Sequence, residues 1–154
     1  MTYLSAGANA PDFTLQDQHN NPVQLSALLK QQRVLVYFYP KAMTPGCTVQ
    51  ACALRDSKAE LAAKGVTVVG ISTDAPARLA KFAERDKLNF TLLADEDHKV
   101  ADAFGVWGEK KFMGKVYDGL HRISFLIAQN GKVEKVFDSF KTKDHHQVVL
   151  NYLG

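Results

Sequence analysis

The chain has 154 residues, of which 46% are hydrophobic and 23% are charged, and its formal net charge at pH 7 is +3. This balance is typical of a soluble globular protein and excludes a disordered chain, so we expect one domain over residues 1–154. No apolar stretch approaches the ~20 residues that cross a bilayer, and we expect no membrane contact and no secretion signal. The longest basic run is Lys110-Lys111, which is too short to indicate nucleic-acid binding.

Apolar runs separated by turn residues predict alternating strands and helices. A hairpin-like pair of short strands opens the chain, and a strand, a long helix and a second strand then form a βαβ unit. The apolar run over residues 34–39 is typical of a strand covered on both faces. Strands are predicted at residues 12–15, 23–25, 34–39, 66–72, 90–93, 123–128 and 132–138. Helices are predicted at residues 26–29, 48–64, 76–86, 97–104 and 144–153, the last opening with a capping-box spacing. Residues 105–119, with four glycines, are predicted to be mostly loop.

The start of the long helix is where the sequence places reactive chemistry. Thr44 can cap this helix, and Pro45 suits its first position, where no N–H group is needed. Cys47 then lies in the first turn, where free backbone N–H groups and the positive end of the helix dipole favour a thiolate. Because the thiolate is the nucleophilic form of cysteine, Cys47 is the candidate nucleophile.

The second cysteine, Cys52, lies on the same predicted helix. With only two cysteines the chain cannot be a disulfide scaffold, and a reducing, cytoplasmic setting is expected. Five helical residues turn through ~500°, so the two sulfurs point about 140° apart and the Cα atoms lie roughly 8.7 Å apart. A disulfide needs Cα atoms within about 7 Å. Cys47 and Cys52 therefore either never pair, or pair only when the first turns unwind.

Several motifs resemble those of a known enzyme family. Pro40, Thr44 and Cys47 form the pattern Pro-x-x-x-Thr-x-x-Cys, which resembles the active-site signature of the peroxiredoxins. The spacing of Cys47 and Cys52 resembles the peroxiredoxin Q or bacterioferritin comigratory protein subfamily. Residues 7–15 and 121–127 resemble the family's N-terminal strand and its late arginine-bearing strand. The resemblance implies an α/β, thioredoxin-like fold, with a central mixed sheet flanked by helices and an N-terminal β-hairpin extension.

The resemblance also implies an activity and its residues. The expected substrates are hydrogen peroxide and alkyl hydroperoxides, with no metal or organic cofactor. Cys47 would become a sulfenic acid, Cys52 would then form an intramolecular disulfide with it, and thioredoxin (or a glutaredoxin) would reduce that bond in a monomeric protein. The hydroxyl of Thr44 would contact the peroxide, and Pro40 would shield the reactive sulfur from water. The guanidinium of Arg122 would lie beside that sulfur and stabilise developing charge.

Two other functions use the same cysteine pair. A thiol–disulfide oxidoreductase on this fold usually has Cys-x-x-Cys and a proline before a later strand, whereas no proline follows Pro76 here. A non-catalytic peroxide sensor would share the sulfur chemistry, so the sequence leaves that alternative open.

Other polar residues are expected to have structural roles. Arg55 is expected to pair with a carboxylate, His145 and His146 are expected to face solvent, and the acids of residues 95–98 are expected to open a helix without binding a metal. Ala42 and Gln50 stand where related sequences often carry acidic residues. We expect Gln50 to hydrogen-bond to Arg122 without adding charge.

Overall fold

The computed structural model describes residues 2–154. Nine strands and five helices are assigned in this part of the chain. The strands are β1 (Thr14–Asp17), β2 (Pro22–Gln24), β3 (Arg33–Phe38), β4 (Val66–Ser72), β5 (Thr91–Ala94), β6 (Trp107–Phe112), β7 (Lys115–Leu120), β8 (Ser124–Ile127) and β9 (Val133–Phe137). The helices are α1 (Leu25–Leu29), α2 (Pro45–Ala63), α3 (Pro76–Asp86), α4 (Lys99–Phe104) and α5 (His145–Leu153).

Seven of the strands form one mixed sheet in the order β2-β1-β5-β4-β3-β8-β9. Strands β3, β4 and β5 run parallel, whereas β8 pairs antiparallel with β3, and β9 with β8. The N-terminal hairpin joins this sheet, because β1 pairs antiparallel with both β2 and β5. The predicted α/β class and the mixed sheet with an added hairpin are confirmed.

Helices cover both faces of the sheet, as predicted. Side chains alternate along β3, so Leu35 and Tyr37 pack in the core cluster that includes residues of α2, α3 and α5. Val34 and Val36 point to the other face and pack in the cluster that includes residues of α1 and α4. This double coverage explains why β3 and β4 are apolar at nearly every position. The sheet thereby fixes the carboxyl end of β3, where α2 begins.

Residues 105–119 are the main error of the sequence prediction. They form the two-stranded antiparallel ribbon β6–β7, which is separate from the large sheet. Met113 and Gly114 make its turn, with φ of +50° and +79°. Most side chains of the ribbon are exposed, and each face mixes charged and apolar residues, so it lacks the apolar alternation by which a half-buried strand is recognised.

The helices begin within three residues of their predicted starts, but the predicted side-chain caps of α2 and α5 do not form. Thr44 is the residue before α2, yet its hydroxyl donates to the carbonyl of Lys41 at 2.8 Å and does not cap the helix. Asp144 precedes α5, and its carboxylate accepts from the Lys141 N–H group at 2.8 Å, so the predicted capping box does not form.

No helix within residues 2–154 is long and apolar enough to cross a membrane.

Candidate active site

Cys47 lies at the carboxyl end of β3, in the first turn of α2. Pro45 is the first residue of that helix, so Cys47 is the third, and only 2% of the cysteine is exposed. Pro40 is partly buried two residues beyond the end of β3. In open α/β sheets this end of the strands is where ligands collect. The turn therefore presents a buried sulfur to the region in which a substrate is expected.

One arginine contacts the sulfur directly. Arg122 lies two residues before β8, the strand that pairs with β3. Its Nη2 atom donates to Sγ of Cys47 at 3.3 Å, and its Nη1 atom donates to Oε1 of Gln50 at 2.6 Å. Gln50 is fully buried one turn further along α2, and its Nε2 atom has no protein partner. Gln50 thus orients the guanidinium towards the sulfur without contributing a charge.

The loop before α2 is held by residues that the sequence analysis missed. Asp74 accepts a hydrogen bond from the Ala42 N–H group at 2.8 Å, and Arg78 donates to the Ala42 carbonyl at 3.0 Å. Asp74 and Arg78 pair with each other at 3.2 Å, and Ser72 donates to Asp74 at 2.8 Å. Both peptide groups of the fully buried Ala42 are thereby fixed. The signal in the sequence is a pair of polar residues directly after the buried strand β4.

Cys52 lies one and a half turns after Cys47 on the same continuous helix, and both cysteines are free. Two contacts with the end of α3 flank it. Arg85 donates to the Thr48 hydroxyl at 2.8 Å, and Arg55 donates to the carbonyl of Asp86 at 2.6 Å. Arg55 also pairs with its neighbour Asp56 at 2.9 Å, which confirms the predicted carboxylate partner.

Comparisons with known proteins identify the family. Residues 6–136 match the AhpC/TSA family. The chain is 65% identical over 153 residues to peroxiredoxin Bcp of Escherichia coli, an alignment that spans 99% of this chain and 97% of the relative. The chain belongs to the peroxiredoxins of the AhpC/TSA family.

Further relatives and solved structures agree with this assignment. Peroxiredoxin Bcp of Bacillus subtilis is 43% identical over 150 residues, covering 97% of this chain and 95% of that one. The crystal structure of peroxidoxin BcpB from Mycobacterium tuberculosis has a TM-score of 0.88 at 39% identity, over 98% and 97% of the two chains. Peroxiredoxin Q of Xanthomonas campestris has a TM-score of 0.88 at 29% identity, over 96% of each chain. The thioredoxin-like fold and the predicted subfamily resemblance are confirmed.

In this peroxiredoxin the expectation that His145 faces solvent is wrong. His145 is fully buried at the start of α5, and its Nε2 atom lies 2.8 Å from the hydroxyl oxygen of Ser124. Burial lowers the pKa of His145 to about 3, and the nearby Arg122 guanidinium acts in the same direction. The ring is therefore neutral, and it packs 4.4 Å from Phe140, centroid to centroid. His146, which was also expected to face solvent, is partly buried.

The β6–β7 ribbon lies beside the segment that leads to Arg122. Lys110 is half-buried, and its Nζ atom donates to the carbonyl of Leu120 at 2.9 Å. Burial lowers the pKa of Lys110, the Arg122 guanidinium lowers it further, and the Cys47 sulfur acts in the opposite direction. A second cation therefore lies within electrostatic range of the reactive turn.

The acidic segment of this peroxiredoxin has the structural role expected of it. The buried carboxylate of Asp95 accepts from the N–H groups of Val100 and Ala101, at 3.2 and 2.8 Å, in the first turn of α4. Within residues 2–154, no three His, Cys, Asp or Glu side chains come together as a metal-binding group.

Proposed function

We propose that this peroxiredoxin reduces hydrogen peroxide and organic hydroperoxides, with Cys47 as the attacking nucleophile. The observation that carries the proposal is the contact between the Arg122 guanidinium and Cys47 Sγ at 3.3 Å, at the N-terminus of α2. Both the cation and the helix dipole stabilise a thiolate. The bacterioferritin comigratory protein of Xanthomonas campestris, a structural neighbour of this chain, has alkyl peroxide reduction activity, which supports the organic substrates.

In the first step, the Cys47 thiolate attacks one oxygen of the peroxide bond. The O–O bond breaks, the leaving oxygen takes a proton and departs as water or an alcohol, and the sulfur becomes a sulfenic acid. Arg122 stabilises the charge that develops on the oxygens. Thr44 is proposed to contact the peroxide through its hydroxyl oxygen, which still has free lone pairs beside its bond to Lys41. Pro40 is proposed to shield the sulfur from water.

In the second step, the Cys52 thiolate attacks the oxidised sulfur of Cys47. An S–S bond forms, and hydroxide leaves and is protonated to water. Since both residues lie on one continuous helix, the first turns of α2 must unwind before the sulfurs can meet. A thioredoxin-type dithiol then reduces the disulfide and becomes a disulfide itself. This cycle needs no second subunit, and we propose a monomer in the reducing cytoplasm.

Peroxide consumption driven by thioredoxin, its reductase and NADPH tests this proposal. We expect many turnovers per chain, no reaction for Cys47→Ser, and one oxidation without thioredoxin-driven recycling for Cys52→Ser. Consumption of a single peroxide equivalent per chain would instead identify a sensor. Full activity of Cys47→Ser would overturn the nucleophile assignment. Amide exchange over residues 47–52 should be faster in the oxidised form, because the helix opens there.

A further inference from the structure

The tip of the β6–β7 ribbon exposes an unusual set of apolar side chains. Phe112, Met113, Val116 and Tyr117 are 66%, 87%, 58% and 48% exposed, respectively. The segment from residue 110 to residue 117 also contains three lysines and neither Asp nor Glu. The tip therefore combines exposed Phe, Met and Tyr side chains, which are enriched at protein interfaces, with lysines of the kind found at the polar rim of such interfaces.

The fold itself gives no reason for this composition. Met113 adopts a left-handed conformation in the tight turn, where Asn or Asp before Gly is ordinarily preferred. A large apolar residue at this position is disfavoured both by its backbone conformation and by its exposure. Its presence is explained if the tip contacts another molecule.

The pairing of the strands separates the ribbon into two faces. Lys110 lies opposite Tyr117, and Phe112 lies opposite Lys115, so these four side chains share one face. A Cβ atom added to Gly119 would lie 3.0 Å from Cδ of Lys110 and 3.2 Å from Cε2 of Tyr117, which places both side chains over the same glycine. We call these four residues the site-side face.

The other face carries a matching pair. Lys111 lies opposite Val116, and both are exposed. We call these two residues the outer face. The site-side face therefore has two directly opposed pairs of a lysine and an exposed apolar residue, and the outer face has one, which serves as a control for the Phe112–Lys115 pair.

The site-side face begins at Lys110, beside the segment that leads to Arg122 and so to Cys47. Lys110 bonds to the carbonyl of Leu120, two residues before Arg122, and is within electrostatic range of both Arg122 and Cys47. Beyond Lys110, the same face continues outward through Tyr117 to Phe112. A macromolecule that contacts this strip would be held next to Cys47.

We propose that the site-side face is the docking surface for the dithiol protein that reduces the Cys47–Cys52 disulfide. The apolar and positively charged side chains of this face fit a dithiol protein that presents apolar surface and carboxylates beside its own cysteines. This inference rests on the proposed function, because only the recycling step needs a protein partner at the site. A small peroxide gains nothing from exposed apolar surface at the end of a ribbon.

The charge of the face argues against two other occupants. A second copy of this chain would bring lysines against lysines, which is unfavourable at a self-complementary interface. A membrane surface would attract lysines and aromatic side chains wherever they lay, and would not require them beside Cys47. The position next to the reactive sulfur therefore favours the redox partner.

Matched double variants test the proposal. One changes the site-side pair, Phe112→Ser with Lys115→Glu, and the other changes the outer pair, Val116→Ser with Lys111→Glu. With Escherichia coli thioredoxin as the reductant, kcat/KM for thioredoxin should fall about tenfold in the first variant and less than about twofold in the second. Recycling by dithiothreitol, which needs no docking, should be equal in both. Raising the salt concentration should slow the thioredoxin reaction more in the outer-face variant than in the site-side variant.

The alternative outcomes are distinct. Equal kcat/KM for thioredoxin in the two variants would overturn the docking surface while leaving the proposed peroxidase cycle intact. Recycling of the unmodified protein by dithiothreitol but not by thioredoxin would overturn both the docking surface and the thioredoxin-dependent step. A third outcome is that the site-side variant keeps its thioredoxin kinetics but loses dimerisation in sedimentation or binding to phosphatidylglycerol vesicles. This outcome would assign the face to another occupant.

Discussion

Replacing Arg122 tests the electrostatic basis of the peroxide reaction. Arg122→Met keeps an unbranched side chain but removes the guanidinium whose Nη2 atom lies 3.3 Å from Cys47 Sγ. A hydrogen bond to a charged group contributes about 1.5–3 kcal/mol. If about 2 kcal/mol of this is lost from the transition state, the rate constant should fall about thirtyfold. Arg122→Lys keeps the charge but cannot serve both Cys47 and Gln50, so we expect an intermediate rate.

The assay uses the Cys52→Ser background, in which only one thiol can react. Rapid mixing with hydrogen peroxide, followed by trapping of the remaining thiol, gives the second-order rate constant. Arg55→Met is the matched control, since Arg55 also bonds to a backbone carbonyl and a carboxylate beside α2 but does not contact Cys47. A rate for Arg122→Met within threefold of its parent, or an equal loss in the Arg55 variant, would refute the assigned role of the guanidinium.

Three further changes probe the surroundings of the site. Arg85→Ala removes the bond from α3 to the Thr48 hydroxyl, so the first turns of α2 should open more readily. The intramolecular disulfide should then form about two- to fivefold faster, because an exposed hydrogen bond contributes about 0.5–1 kcal/mol. Rapid quenching of the reaction measures this rate. Asp74→Ala releases the Ala42 N–H group and should slow peroxide reduction about tenfold, which single-turnover kinetics can measure. His145→Gln should reduce the acid sensitivity of folding. Because burial lowers the pKa of this histidine to about 3 from 6.5, the unfolded state binds more protons between these values. The free energy of unfolding should therefore decrease by about 1.4 kcal/mol per pH unit as the pH falls below 6.5, and denaturant titrations should show a shallower decrease in the variant.

Each of these changes has its own contrary result. Thr48→Val should accelerate disulfide formation as Arg85→Ala does, and a difference between them would show that the arginine acts elsewhere. Wild-type peroxide kinetics in Asp74→Ala would show that the loop keeps its shape without the carboxylate. An unchanged pH profile of unfolding in His145→Gln would show that another group dominates the acid response.

The sequence predicted the elements with clear periodicity well. Residues 66–72 and 76–86 were predicted with the bounds that β4 and α3 have, because a fully buried strand and an amphipathic helix with a proline start are distinctive. The ribbon was missed because exposed strands have no buried face to mark them. The start of α2 was predicted because Thr44 and Pro45 are local signals. The predicted cap does not form, because the hydroxyl of Thr44 donates to the carbonyl of Lys41, which lies outside the helix.

Contacts between distant segments could not be predicted in the same way. The pairing of Asp74 with Ala42 joins the ends of two neighbouring strands, and nothing near either residue specifies it. The placement of Arg122 beside Cys47 was expected only from the family resemblance. Its local sequence indicates merely that a charge at a strand end needs a partner. Burial of His145 depends on Ser124, which lies 21 residues away in the chain.

The anchoring of Ala42 has a consequence for repeated turnover. Its two peptide groups are tied to Asp74 and Arg78, which belong to the segment after β4 and to α3, and not to α2. In the proposed cycle the first turns of α2 unwind, but the loop before α2 would stay in place because its hydrogen bonds are made to other elements. After reduction, the first turns of α2 would re-form next to a loop that has kept its conformation. Each proposed cycle would then begin with the loop before Cys47 already in place, and recovery of the reduced form would require refolding of only the first turns of α2.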